Sequence, residues 1–326
     1  MATYSPSQLD RYLEHINLPQ QAFTSPHNGF PSELPHDRNA ALALLHTLVT
    51  HQLATVPFES LSLHYSPTHT LSLHPQDLFT KIVNRRRGGY CMENNTFFGA
   101  ILRTIGFTVT PVGGRVSHAT AGRPGTGYMG WNHMVNLVTL STTEDGQEEE
   151  KYLVDVGFGA NGPVRPLLLT PGQETPAGID AVRYKLRYEA LPQHTDRSQR
   201  MWIYSYRNNA DGKWLDAYAF AEMEFLPDDF AVMNLATSTL RTSFFVQSLF
   251  CVRMVVDGEG KPAGWTVLHG DKVTRRVRGR VEAEEEFKSE EQRVDALQRW
   301  FGIVLDEVEK RGIRELPTEI RGWKLG

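Results

Sequence analysis

The chain of 326 residues holds two cysteines, and their settings differ sharply. Cys91 stands in NRRRGGYCMENN, where Gly88 and Gly89 permit a tight turn directly ahead of a predicted helix. A helix start offers free N–H groups and a positive dipole end, and both favour a thiolate there. Cys251 lies in the apolar run LFCVRMVV and reads as core. A nucleophilic sulfur needs a base. Most of the twelve histidines, among them His15, His27, His36, His46, His64, His69 and His74, fall on polar faces or in turn-rich segments. His133 instead opens the strand-like run HMVNLVTL, directly after MGWN.

Asp155 sits between Val154 and Val156 in KYLVDVGFG, a costly place for an acid without a partner. If 133–140 and 151–156 form a hairpin closed around Gly146, facing residues have numbers that add to roughly 288–290, and His133 with Asp155 meets that condition. The carboxylate could then accept the ring N–H, fix the tautomer and favour imidazolium beside a thiolate. The competing reading makes Asp155 an edge-strand residue that caps the turn at Gly157. Gly157, Gly159 and Gly162 also spell GxGxxG after a strand, but Pro163 and Pro166 follow where a dinucleotide loop requires a helix. No Walker loop, HExxH or paired Cys/His zinc spacing is present, so no metal is expected. The run Arg85 to Arg87 could clamp phosphate or complement a helix C-terminus. Glu59, in VPFESL, is the expected partner of Arg87, in an ion pair bracing the cysteine loop.

Elements to position these groups can be read from periodicity. Leu9, Tyr12, Leu13 and Ile16 recur at helical spacing, as do Leu42, Leu45, Leu48 and Val49 after the N-cap candidate Asp37. Leu78, Phe79, Ile82 and Val83 predict a third helix. A fourth begins near Cys91, buries Met92, Asn95, Phe98, Leu102 and Ile105, and ends at Gly106. From Phe107 the period changes to two: 108–112, 133–140, 151–156, 184–188, 202–206 and 214–220 read as strands of a small antiparallel barrel or sandwich. Further on, 249–256 and 265–268 flank the turn DGEGKPAG, and Val273 begins another strand. A last helix is predicted from a capping box at Ser289 and Gln292 through Val294, Leu297, Phe301 and Leu305. The segments 25–35 and 142–150 resemble linkers. The class is α+β, with expected units 1–106 (helical bundle carrying the nucleophile), 107–222 (β-barrel carrying His and Asp) and 223–326 (α/β lid).

Composition narrows the function. With 38 acidic against 34 basic residues the formal charge is -4, so no positive field suits nucleic acid or an anionic membrane. No run approaches a membrane span, the start has no secretory pattern, and two lone thiols suit a reducing compartment, giving a cytoplasmic expectation.

Together, RRGGYC with Glu93 and Asn95 behind it, NHMVNLV around His133 and DVGFG around Asp155 resemble the arylamine N-acetyltransferase family in order and spacing. VPFESL, IGFTVTPVGGRV and WFGIVL extend the likeness over most of the chain. The resemblance implies a helical bundle, a β-barrel and an α/β lid around a cysteine-protease-like triad of Cys91, His133 and Asp155. It also implies ping-pong transfer of an acetyl group from acetyl-CoA through a Cys91 thioester to an arylamine or hydrazine. Val116 and Phe158 correspond to acceptor-pocket positions, and 237–245, TSTLRTSFF, to a region that helps hold CoA. Segments 24–36, 118–128, 141–150 and 190–200 depart from the common pattern, which leaves malonyl-CoA or propionyl-CoA open as donor. Two rivals remain: a cysteine hydrolase or transglutaminase-like enzyme using the same triad on amides, and a ligand-binding protein that has lost turnover.

Overall fold

The computed structural model describes residues 2–18, 34–141 and 148–321, and the two linker-like segments fall mostly outside them. Helix α1 (Pro6–His15) starts at a reciprocal box between Ser5 and Gln8. Helix α2 (Arg38–Thr55) starts at Asp37, whose carboxylate accepts the Ala40 N–H at 2.7 Å, as expected. A two-residue strand, β1 (Phe58–Glu59), follows. The third helix is two short pieces: α3 (Pro75–Phe79) and a wide π-type turn at Thr80–Asn84. Helix α4 (Cys91–Ile105) begins on the cysteine itself and ends at Gly106, whose φ of 112° is left-handed and suits glycine. Only Thr96, Arg103 and Thr104 of α4 escape full burial, so the helix that carries Cys91 runs through the interior.

Strands β2 (Thr108–Val116), β3 (His133–Ser141), β4 (Glu149–Val154), β5 (Leu167–Leu168), β6 (Glu174–Pro176), β7 (Arg183–Glu189), β8 (Met201–Arg207) and β9 (Leu215–Glu224) form one antiparallel sheet in the order β5-β4-β3-β2-β9-β8-β7-β6. It curls into a nearly closed barrel. Its seam is crossed by Arg165, which donates to the Pro176 carbonyl at 3.2 Å, and by Tyr184, whose hydroxyl donates to the Gly162 carbonyl at 3.4 Å. Beyond it come α5 (Pro227–Thr239), α6 (Phe244–Gln247), β10 (Phe250–Val256), β11 (Pro262–His269), β12 (Lys272–Val277), β13 (Arg280–Glu286), α7 (Glu290–Ala296) and α8 (Glu307–Gly312). Strand β1 joins the edge of this second sheet, ordered β1-β10-β11-β12-β13, so VPFESL ties the cysteine loop to the C-terminal third. The α+β architecture matches the expectation. One apolar core runs continuously from the helices α1, α2 and α4 into the barrel.

Several sequence expectations need correction. The strand predicted over 151–156 ends at Val154, and Asp155 is the first residue beyond it. The last helix stops at Gly302, left-handed at φ 72°, after a π-type turn over Leu297–Phe301, so Leu305 lies outside it. Ser289 does cap Gln292, but the Gln292 side chain accepts from Lys288 N–H and the box is not reciprocal. Helix α5 was not expected because apolar residues lie on both its sides: Phe230 and Met233 are buried while Val232 and Leu235 are exposed, which erases the helical period. Strand β13, RVEAEEE, is a charged edge with weak strand propensity.

Phe97 anchors α4 against α1, fully buried with ring centroids 5.6 Å from Tyr4 and 5.4 Å from Tyr12. Phe97→Ala should cost about 3–5 kcal/mol. Denaturant titration reads this as a lowered midpoint; a loss below about 1 kcal/mol would show that the α1–α4 contact is unimportant.

Candidate active site

The loop ahead of Cys91 is held by contact rather than by unusual backbone angles. A Cβ on Gly88 would stand 1.8 Å from the Pro57 carbonyl oxygen, and one on Gly89 would stand 2.6 Å from Glu93 Cβ. Neither glycine has positive φ, so close approach is what requires them at this turn. Glu59 N–H donates to the Gly89 carbonyl at 3.0 Å, and Tyr90 N–H donates to the Glu93 carboxylate at 3.1 Å. Lys81 pairs with Glu93 at 2.6 Å. The expected Arg87–Glu59 pair is present at 3.6 Å, beyond hydrogen-bond reach, whereas Glu309 accepts from Arg87 Nη1 at 2.9 Å. Sequence reasoning found the first partner and missed the second, because 222 positions separate the closer pair.

His133 heads β3 opposite Gly114, and Asp155 follows β4. The β3–β4 ladder pairs Asn136 with Val154 and Leu137 with Leu153, a register in which His133 and Asp155 are diagonal rather than opposite. An offset of two residues keeps both on one face. His133 Nε2 lies 2.8 Å from Asp155 Oδ2; a carboxylate accepts only, so the ring donates. The other ring nitrogen is free of Asp155, and Cys91 is near enough to the imidazole to help raise its pKa. Cys91 Sγ also lies 3.8 Å from the Asn132 carbonyl oxygen. The structure therefore brings together the three side chains singled out in the sequence, all of them buried.

Asn95, one turn after Cys91, holds the acid in place. Its Nδ2 donates to Asp155 Oδ1 at 2.9 Å and to the Met134 carbonyl at 2.7 Å, and its Oδ1 accepts from Val156 N–H at 3.0 Å. Gly157 N–H donates to Asp155 Oδ1 at 2.8 Å. A Cβ on Gly157 would meet Cys91 Cα at 2.7 Å, so the glycine two residues after Asp155 lets that turn rest on the start of α4. An amide on the buried face of α4 was the available signal for this role, since it must find partners there.

Burial by itself would push the carboxyl of Asp155 up, but the charge of His133 and the donors on His133, Asn95 and Gly157 hold it below its ordinary range. Burial likewise would lower the pKa of His133. The charge of Asp155 and hydrogen bonds to Asp155 and Cys91 outweigh it and raise the imidazole to about 10. The ring is thus an imidazolium at neutral pH. Phe158 packs edge-on against it at 5.0 Å, and Tyr218 lies 4.6 Å away. Val116 is half-buried, faces Tyr218 across the β2–β9 ladder, and donates its N–H to Asn132 Oδ1 at 2.9 Å. Phe225, Phe230 and Met233 join Tyr90, Cys91 and Met92 in a small apolar cluster around the sulfur. In the segment 237–245, Ser238 and Ser243 hydroxyls donate to the chain's own carbonyls at 2.7 and 2.5 Å, and Phe245 packs on Tyr90 at 5.0 Å. Cys251 is fully buried in β10, as expected of core. Among the described residues no group of three His, Cys, Asp or Glu is placed to hold a metal ion, and no helix is long and apolar enough to cross a membrane.

A family model described as N-acetyltransferase matches residues 41–310. N-malonyltransferase FDB2 of Fusarium pseudograminearum is 38% identical over 329 residues, spanning 96% of this chain and 93% of its own length. Arylamine N-acetyltransferase 2 of Mus musculus is 30% identical over 287 residues, spanning 84% and 92%. The structure of Mycobacterium marinum arylamine N-acetyltransferase in complex with CoA superposes with a TM-score of 0.72 at 26% identity, covering 94% of this chain and 99% of that one. With the family match spanning the bulk of the sequence and its relatives aligned along most of their own lengths, the chain belongs to the arylamine N-acetyltransferase family, enzymes that move an acyl group from a CoA thioester to an amine.

Proposed function

We propose that this chain transfers a malonyl group from malonyl-CoA to an arylamine or hydrazine by way of a Cys91 thioester. The observation that carries the acyl-enzyme reading is the buried imidazole of His133, hydrogen-bonded to Asp155 at 2.8 Å, with the Cys91 thiol beside it in the same interior. In the first half-reaction Cys91 thiolate attacks the thioester carbonyl carbon. The tetrahedral adduct collapses, the bond to the CoA sulfur breaks, and the departing CoA thiolate takes the proton of the His133 imidazolium. In the second, the amine nitrogen attacks the acyl-sulfur carbonyl, gives its proton to His133, and Cys91 leaves as thiolate. Asp155 orients the ring and stabilises its positive form throughout. Phe158 and Val116 would border the acceptor, and 237–245 would lie along the CoA arm. The apolar cluster around the sulfur favours an amine over water as acceptor, which argues for transfer over hydrolysis.

Malonyl is favoured over acetyl because an N-malonyltransferase is 38% identical over nearly the whole chain, against 30% for an arylamine N-acetyltransferase over less of it. Acetyl-CoA remains the second reading, supported by that latter relative. Intact-protein mass spectrometry after exposure to acetyl-, propionyl- and malonyl-CoA separates them. A shift of one malonyl group on Cys91, discharged by an aniline, is expected; faster acetyl loading would reverse the donor assignment, and no acyl adduct at all would remove the mechanism.

The pH dependence follows from the two shifted groups. The His133 pKa is raised, so its stabilisation is complete below the ordinary value of 6.5 and is lost as pH rises through about 10. That of Asp155 is lowered, so its contribution holds above the ordinary value of 3.8 and is lost at lower pH. The His133–Asp155 pair therefore persists between those limits. Asp155→Asn should slow iodoacetamide alkylation of Cys91 across its pH profile and cut turnover on the order of 10²–10⁴-fold. An unchanged profile in that variant would show that Asp155 does not sustain the pair.

A further inference from the structure

The run Arg85–Arg87 is tied down by a residue that the acyl-transfer steps do not call on. Glu309, on the C-terminal helix α8, accepts from Arg87 Nη1 at 2.9 Å with Oε1, and pairs with Arg85 at 2.7 Å through Oε2. The same carboxylate accepts the Asp306 N–H at 3.0 Å, while Asp306 accepts the Glu309 N–H at 2.9 Å. This reciprocal cap fixes the Glu309 side chain before it reaches the arginines. Arg87 is buried, and its Nε and Nη2 have no hydrogen-bond partner. Glu59 lies too far for a hydrogen bond, so Glu309 is the acceptor that fixes the guanidinium among the described residues. Three residues later comes Cys91's own N-cap, Tyr90, and the intervening glycines are wedged under Pro57 and Glu93 with no room to adjust. A displacement of Arg87 must therefore travel along the loop to the sulfur.

We infer that Glu309 is a positioning residue for the nucleophile: through Arg87 it sets where Cys91 stands relative to His133, making the C-terminal helix part of the acyl-transfer apparatus. This rests on Cys91 being the nucleophile. Charge and position predict opposite signs for one observable. If Glu309 acted only through its charge, deleting it would leave Arg87, Arg85 and Lys81 less balanced by Glu59 and Glu93, favour the thiolate and move the Cys91 alkylation midpoint down. If it acts by position, the sulfur drifts off the His133–Asp155 pair and the midpoint moves up.

The test uses the full-length protein with Glu309→Ala, Glu309→Gln and Glu309→Asp, reading iodoacetamide alkylation of Cys91 against pH and single-turnover CoA release from malonyl-CoA. Glu309→Ala should slow CoA release about ten- to a hundredfold and raise the midpoint. Glu309→Gln, which keeps an acceptor oxygen for Arg87 without the charge, should recover most of both. Should the alanine variant fail to fold, Glu309→Asp serves, retaining the charge on a shorter arm and showing the same upward shift. A folded alanine or aspartate variant with the wild-type midpoint and rate, or a midpoint displaced downward, overturns the inference. If wild-type Cys91 takes up no acyl group, the nucleophile reading fails, and the alkylation midpoint still decides the question of Glu309.

Discussion

A buried hydrogen bond between His133 and Asp155 is the constraint around which the rest of the site is organised. Neither charge could remain in that apolar interior alone. Each is acceptable because the other is 2.8 Å away and because Asn95 and Gly157 supply the further donors that the carboxylate needs. The resulting imidazolium is what gives a buried thiol a charged partner. Remove the acid and the ring reverts to a desolvated, neutral histidine; move the ring and the acid is stranded.

The architecture converts this local demand into a fold. Cys91 is the first residue of a helix that runs through the interior, and His133 and Asp155 stand at adjacent strand ends of the barrel. Bringing such separate elements together requires neighbouring atoms to press close on the backbone, which is why the glycines cluster here. Gly88 rests on Pro57, Gly89 on Glu93 and Gly157 on Cys91, each at a distance that leaves no space for a methyl group. Strand β1 then fastens the same loop to the C-terminal sheet, pairing Phe58 with Val252 and Glu59 with Cys251.

What the sequence made legible was whatever leaves a local pattern. The periodicity of α1, α2 and α4, the Asp37 cap, the Gly106 stop and the β3–β4 hairpin are all written within a few residues of where they act. The pairing of His133 with Asp155 was accessible because a hairpin register relates two numbers simply, although the true register made the contact diagonal and left Asp155 beyond the strand end. Contacts closed by the tertiary fold were not accessible. Glu309 reaches Arg87 from the far end of the chain, Phe225 and Phe230 join the Cys91 cluster from a segment with no amphipathic period, and β13 hides its strand character behind glutamates. Asn95 lay between these cases: its presence on a buried helical face announced that it had partners, but not which.

The claim on which the account turns is the protonation state of one ring, and nitrogen-15 NMR of the His133 imidazole in the intact protein reads it directly. The account predicts that both ring nitrogens stay protonated through neutral pH and that a proton is lost only near pH 10. A His133 ring that is neutral at pH 7, titrating near the ordinary 6.5, would contradict it.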